Sequence, residues 1–386
     1  MKRALLSILI LSMSLLLFGN PVDENTAKHL AQNFWKENNI MGVKGDKVFK
    51  KKMDEARFVN VAPQCGYSEF YIFNNEEDKG FVIIAADDCV TPILGYSYDN
   101  NFAAENLPPN LKSWLDGYAE QIQAAVEMRA EASEEIALDW NCLRQGTNLP
   151  IKSVTAVNSL LSDNIWSQKC YYNSLCPSNV NGPCNHTLTG CTGTAMAQIM
   201  HYWNYPSTGN NSTSYTPNGY PTQSVNFGES SYNWDNMPNS LTGTTSNQQV
   251  TEVAKLLWHC GVALHAAYGP NITTAQPADV PNALRNYFKY ANDCYGEQKG
   301  NNIVWLNKVK ACLDIHRPIH YSAWTSNNEG HSFVCDGYDE FNCLSFNWGW
   351  GGTDNGYYAL TALNVGGHQY NHTHYAIFDI HTPDFP

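Results

Sequence analysis

The apolar period changes from helical to alternating at Pro318, and that switch constrains the fold more than any other feature of the chain. Before it, three blocks carry apolar residues at helical offsets: "GCTGTAMAQIMHYW" with Ala195, Ile199, Tyr202 and Trp203, "TEVAKLLWHCGVAL" with Val253, Ala254, Leu257 and Trp258, and "DVPNALRNYFKY" with Pro281 near its first turn. A fourth, "IVWLNKVKACLDI", ends before the proline. After it, "IHYSAW", "HSFVCDGY", "NCLSFNW" and "GYYALTAL" read as strands of period two. Helices followed by antiparallel strands predict an α+β fold with a helical subdomain, a β subdomain and a cleft between them.

A differently composed region comes first. Residues 20–145 hold 12 Lys and Arg against 21 Asp and Glu, whereas the 241 residues after them hold 9 and 15. Within this charged part Ala27, Leu30, Ala31, Phe34 and Trp35 share one helical face, and so do Leu111, Trp114, Leu115 and Tyr118. Between them "FYIF" and "GFVIIAADD" read as strands, and "NLPPN" punctuates the entry to the second helix. A small α+β domain is expected over residues 20–150, with "EMRAEASEEIALDW" as a helix end running into an exposed linker open to proteolysis. The 386 residues are enough for such a domain and a larger one, residues 151–386, each with its own core.

Residues 1–19 set Lys2 and Arg3 before an apolar run through Phe18 and then Gly19, the order of a cleaved signal peptide. The apolar run is about 15 residues, short of the roughly 20 that span a bilayer. Secretion makes disulfides admissible for the twelve cysteines. Nine lie after residue 150; with Cys191 free, the other eight have partners enough for four bridges, and no CxxC spacing points to zinc. Sequons at Asn185, Asn210, Asn211, Asn271 and Asn371 all fall in this second part. A formal charge of −13 without any basic block argues against nucleic acid and anionic membrane as partners.

Cys191 stands at the head of its helix between Gly190 and Gly193, where unpaired N–H groups and the helix dipole favour a thiolate. Position alone does not overturn the reading of a disulfide partner or a buried thiol. His331 changes the balance: it opens a strand 140 residues later, after a Gly-containing loop, and an imidazole beside a thiol takes its proton. Asn347 follows 16 residues on in the next strand, where its amide oxygen is expected to accept from the His331 ring and fix the tautomer. Trp348, with Trp350, is expected to shelter that bond. His372 and His374 in "HTH" share a strand face but lack a third ligand, and Pro318 interrupts "HRPIH", so neither metal nor cofactor is expected.

Five blocks in order resemble the streptopain family of papain-clan cysteine peptidases: "IWSQKCYYN", "GCTGTAMAQIMHYWNYP", "GHSFVCDGY", "NWGWGGTDNGYYAL" and, in the first part, "GFVIIAADDCVTPILGYSYDNNFAAENLPPNLKSWLDGYAEQI". The resemblance implies a papain-like catalytic domain behind an inhibitory prodomain, and a secreted endopeptidase acting on proteins or peptides. It implies Cys191 as nucleophile, His331 as general base and acid, and Gln168 as a side-chain oxyanion donor beside the Cys191 N–H. Asn347 and Trp348 would orient and shelter the imidazole. "YGPNITTAQPADVP" and the His-rich "GGHQYNHTHYAIFDI" depart from the family pattern near the cleft. A Cys-His-Asn amidase or acyl transferase shares the acyl-thioester step. A catalytically dead binding protein on the same fold would have lost Cys191 or His331, and both are present.

Overall fold

The computed structural model describes residues 19–37, 42–44, 47–49, 58–76, 79–324, 330–363 and 373–385. The signal-peptide reading, the sequon at Asn371 and His372 lie outside the described residues, except Gly19 at the end of the signal. Ten strands make one antiparallel sheet: β1 Phe58–Asn60, β2 Phe70–Asn75, β3 Phe81–Ala85, β4 Ile93–Ser97, β5 Tyr295–Gln298, β6 Ile319–Trp324, β7 Gly330–Tyr338, β8 Leu344–Asn347, β9 Gly356–Tyr358 and β10 Thr373–Phe378. Their spatial order is β1-β2-β3-β4-β9-β8-β7-β6-β10-β5.

The first four strands belong to the charged part and the other six to the second, so one sheet runs through both. The seam is β4 against β9, with Gly95 opposite Tyr358 and Tyr96 opposite Tyr357. Glycine is required there, because a Cβ on Gly95 would meet the Tyr358 ring at 2.8 Å.

The principal helices are α1 Glu24–Glu37, α2 Pro109–Glu127, α3 Glu134–Gln145, α4 Cys191–Trp203, α5 Asn247–Ala263, α6 Val280–Phe288 and α7 Asn302–Asp314. Strand alternation sorts them by face. One core joins α1, α2 and α3 to Phe333, Cys335 and Phe346 of the sheet and includes Trp35, Trp114, Trp140 and Trp348. The other packs α4, α5 and α6 against Val334 and Ile377. Helical and β subdomains are thus present as expected, and the fold is α+β.

The stretch expected as a helix end and exposed linker begins as expected, with α2 ending at Glu127 and residues 128–133 connecting, but from Glu134 it is helix α3. Ser133 caps it, accepting from the Ile136 N–H at 3.2 Å, Glu134 and Glu135 occupy its first turn, and Gly146 ends it with φ 63°. Ile136, Trp140 and Leu143 bury its inner face. Their spacing is helical, and the acidic, Ala-rich composition around them concealed it. Beyond α3 the chain is extended, and there Ile151 is 70% and Val154 99% exposed. Among the described residues no helix is long and apolar enough to cross a membrane.

Candidate active site

Helix α4 begins at Cys191 because Gly190 turns the chain there with φ 89°, a left-handed conformation that L side chains rarely adopt. The Cys191 thiol is free and half-buried. Burial pushes its pKa up, while the Ser332 N–H, the Thr192 hydroxyl and the N–H groups of Thr192 and Cys191 pull it down. The helix-start donors expected from the sequence are present, with one added from strand β7, but burial outweighs them and the thiol pKa is raised.

That added donor belongs to Ser332, the neighbour of His331. Ser332 faces α4: its hydroxyl lies 3.2 Å from the Thr192 hydroxyl and 2.9 Å from that of Ser322. Beneath them His320 is fully buried, and burial lowers its pKa to about 4, so it is neutral and its Nε2–H donates to the Thr192 carbonyl at 3.1 Å. His331 is paired with Ala323, and Ala323 with His374. Alternation therefore carries His331 to the face it shares with Phe333 and His374, against which the Trp114 ring of α2 packs at 6.0 and 5.0 Å.

Asn347 is paired with Val334 and so points to the α4 side. Its oxygen accepts from Gln198 Nε2 at 3.0 Å and from the Gly349 N–H at 3.1 Å, and its Nδ2 donates to the Asn164 carbonyl at 2.6 Å. The amide is committed to these partners and not to the His331 ring. Trp348 points the other way, fully buried among Phe333, Phe346, Tyr358 and Trp114. Gln168 is 3% exposed, its carbonyl accepts from the Thr189 N–H at 3.3 Å, and its Nε2 has no hydrogen-bond partner. A buried amide donor left unsatisfied costs free energy.

Sequence reasoning missed the groups that lock this arrangement. Asn110, at the start of α2, donates from Nδ2 to the Trp348 carbonyl at 2.8 Å and to the Ser332 carbonyl at 3.4 Å. It thereby ties the two strands that carry His331 and Asn347. In "NLPPN" it reads as punctuation, and nothing local marks it. Gln198 was findable, since it lies seven residues after Cys191 on the same helix face. Two carboxylates also sit at the seam. Asp339 accepts from the Tyr96 hydroxyl at 2.5 Å and Asp354 from the Ala103 N–H at 2.7 Å, and burial raises each to about 7.

The peptidase C10 family profile matches residues 166–358, and the Spi protease inhibitor profile residues 19–122. Streptopain of Streptococcus pyogenes is 30% identical over 94% of this chain and 94% of its own length. The chain belongs to the peptidase C10 family. It is a cysteine peptidase carrying an inhibitor-type prodomain. The thiol protease/hemagglutinin PrtT of Porphyromonas gingivalis is also 30% identical over 95% of this chain, which spans 42% of that longer protein. Among solved structures, prointerpain A of Prevotella intermedia matches with a TM-score of 0.69 at 28% identity, over 85% of this chain and 99% of that one. Active interpain A matches with 0.52 at 30%, over 58% and 95%.

The cysteine inventory departs from four bridges. Among the described residues one disulfide is present, Cys170–Cys184, and ten cysteines are free. Most of the ten are buried on separate elements, Cys260 against Met200 and Cys312 against the Arg317 carbonyl, and behave as small apolar side chains. His316 lies in the turn after α7 while His320 lies in β6, and the His374 ring bonds the Tyr321 hydroxyl at 2.8 Å.

Proposed function

We propose that this peptidase is a secreted endopeptidase held latent by residues 20–150, with residues 1–19 as signal and 151–386 as catalytic domain. In the active form His331 takes the Cys191 proton and the thiolate attacks the scissile carbonyl. The tetrahedral oxyanion accepts from Gln168 Nε2 and the Cys191 N–H. His331 then protonates the leaving amine, and water activated by the same imidazole hydrolyses the acyl-thioester. The observation that carries this reading is the buried, unpartnered Gln168 amide, whose carbonyl bonds the Thr189 N–H two residues before a free thiol at a helix start.

Latency follows from the strand register. Helix α2 covers the face to which alternation directs His331, and Asn110 pins the carbonyls of Ser332 and Trp348. Removing α2 frees those strand ends, so that His331 reaches Cys191 and Trp348 shelters it; Asn347 supports the strand from the α4 side. The exposed extended segment around Ile151 and Val154 is where cleavage would separate the parts. Casein hydrolysis by the activated chain, blocked by an epoxysuccinyl thiol inhibitor and lost in Cys191→Ala, is the expected result. Products showing amine incorporation alone would assign an acyl transferase instead.

A further inference from the structure

The Cys170–Cys184 disulfide lies on the loop that connects the two halves of the proposed oxyanion site. Gln168 stands two residues before Cys170, and the loop closed by Cys170–Cys184, 14 residues apart in sequence, leads on to Thr189 and Cys191. Upstream, Gln168 is anchored by Trp166, whose indole donates to the Pro238 carbonyl at 2.8 Å and whose carbonyl accepts from the Gly351 N–H at 3.0 Å. Downstream the loop is tied noncovalently at several points as well, among them the Leu188 N–H to the Gly269 carbonyl at 3.1 Å, the Thr273 hydroxyl to the Leu188 carbonyl at 2.8 Å and the Asn179 amide to the Tyr220 hydroxyl at 2.8 Å. The Asn173 amide donates to the carbonyls of Pro183 and Thr187 at 2.8 and 3.1 Å, and Thr189 reaches back to Gln168.

The backbone of this loop is held in an unfavourable shape. Tyr171 has φ 72°, Cys184 φ 53° and Asn185 φ 63°, and for tyrosine and cysteine the left-handed region persists only where the surroundings enforce it. The bridge joins the residue before one of these positions to another of them. Cys184 is exposed and Cys170 partly so, which leaves the bond open to solvent thiols, unlike the buried cysteines elsewhere.

We propose that the Cys170–Cys184 bridge is a positioning cross-link for the oxyanion donor: it keeps Gln168 Nε2 in register with Cys191, so that opening it slows turnover while leaving the nucleophile intact. This rests on the cysteine peptidase reading. Reduction by a dithiol breaks the Sγ–Sγ bond, places two electrons and two protons on Cys170 and Cys184, and releases the dithiol as its cyclic disulfide. The same reductant maintains the Cys191 thiol, so strong reduction favours the nucleophile and disfavours the donor.

The test compares activated enzyme from the full chain with its Cys170→Ser plus Cys184→Ser form. The expected result is a kcat lower by about tenfold, within the roughly 100-fold that loss of an oxyanion donor costs, and a KM within about twofold. The rate of Cys191 alkylation by a haloacetamide, which develops no oxyanion, stays unchanged. In a Gln168→Ala background, opening the bridge costs nothing further. Should the serine pair fail to accumulate, the folded wild-type enzyme is reduced and its thiols counted by mass, with the same fall in kcat expected. An unchanged kcat with the bridge open, or an equal loss in the Gln168→Ala background, overturns the proposal. A wild-type chain that cleaves no peptide at any stage removes the underlying reading as well.

Discussion

Replacing Trp114 with alanine tests whether helix α2 is what keeps the peptidase latent. Trp114 is 5% exposed, and its ring meets Tyr321, Phe333, Phe346, Trp348 and His374 of the second part at centroid distances of 4.8 to 6.4 Å. One further ring, Tyr118, belongs to its own helix. Truncating a buried tryptophan to alanine costs about 3–5 kcal/mol. Five of the six ring contacts cross between the parts, so most of that cost falls on docking of α2. Taking about 3 kcal/mol for the docking share shifts the balance between covered and uncovered sites by roughly 100-fold.

The assay is the rate at which Cys191 of the intact, unprocessed chain reacts with a labelled iodoacetamide, followed by the lag before peptide hydrolysis begins. The Trp114→Ala chain should label about 100-fold faster and lose the lag. Asn110→Ala removes two hydrogen bonds to the second part and no ring packing. Its effect, about 1–3 kcal/mol, should be smaller but in the same direction. If both variants label and activate within about twofold of the unaltered chain, α2 is not the element that imposes latency, and strand register does not hold His331 inactive.

Two other perturbations follow from the same geometry. Gln168→Ala in the activated enzyme should lower kcat about 100-fold or more with little change in KM, because the lost bond forms only with the oxyanion; a rise in KM at constant kcat would make Gln168 a ground-state binding residue. Burial raises Asp339 and Asp354 to about 7 from the ordinary carboxylate value, so each contributes stability that is complete below about pH 4 and gone once the pH has risen through 7. The expected fall is up to about 1.4 kcal/mol per pH unit for each group over that window, and denaturant melts of the Cys191→Ala chain carrying Asp354→Asn should be flatter by that slope. Equal slopes with and without Asp354→Asn would mean that its folded value lies near the ordinary one.

How much of this was legible in the chain depended on distance along it. The strand "IHYSAW" coincides with β6, and the blocks for α4, α5, α6 and α7 lie on observed helices, because period and capping are local signals. Cys191 at the head of α4 was readable for the same reason. The seam was not. Whether Gly95 and Tyr96 pair with Tyr358 and Tyr357 is decided by residues more than 250 positions apart, and no local pattern distinguishes that pairing from two separate sheets. The Asn347 expectation shows a subtler limit. Neighbouring strands were correctly inferred, but which face each residue takes follows from register, and register sends Asn347 to Gln198 and Trp348 to Trp114.

That dependence on register also explains why a shared sheet suits a latent peptidase. A prodomain that only plugged a finished cleft would leave His331 beside Cys191 and exclude substrate by bulk. Here the first part adds four strands to the same sheet, lays α2 across the face that carries Phe333 and His374, and bonds the ends of β7 and β8 through Asn110. Alternation then sets Ser332 toward the thiol and His331 away from it, and a rotamer change cannot carry an imidazole through a sheet whose neighbouring strands lie about 4.8 Å apart. If His331 pairs with Cys191 as proposed, activation requires the backbone at the start of β7 to turn, which α2 would oppose while it is docked. On the mechanism proposed above, blocking the turn would disable His331 as acid–base partner yet leave the α4 helix start and Gln168 in place, so that loss of one docked element would be enough to complete the site.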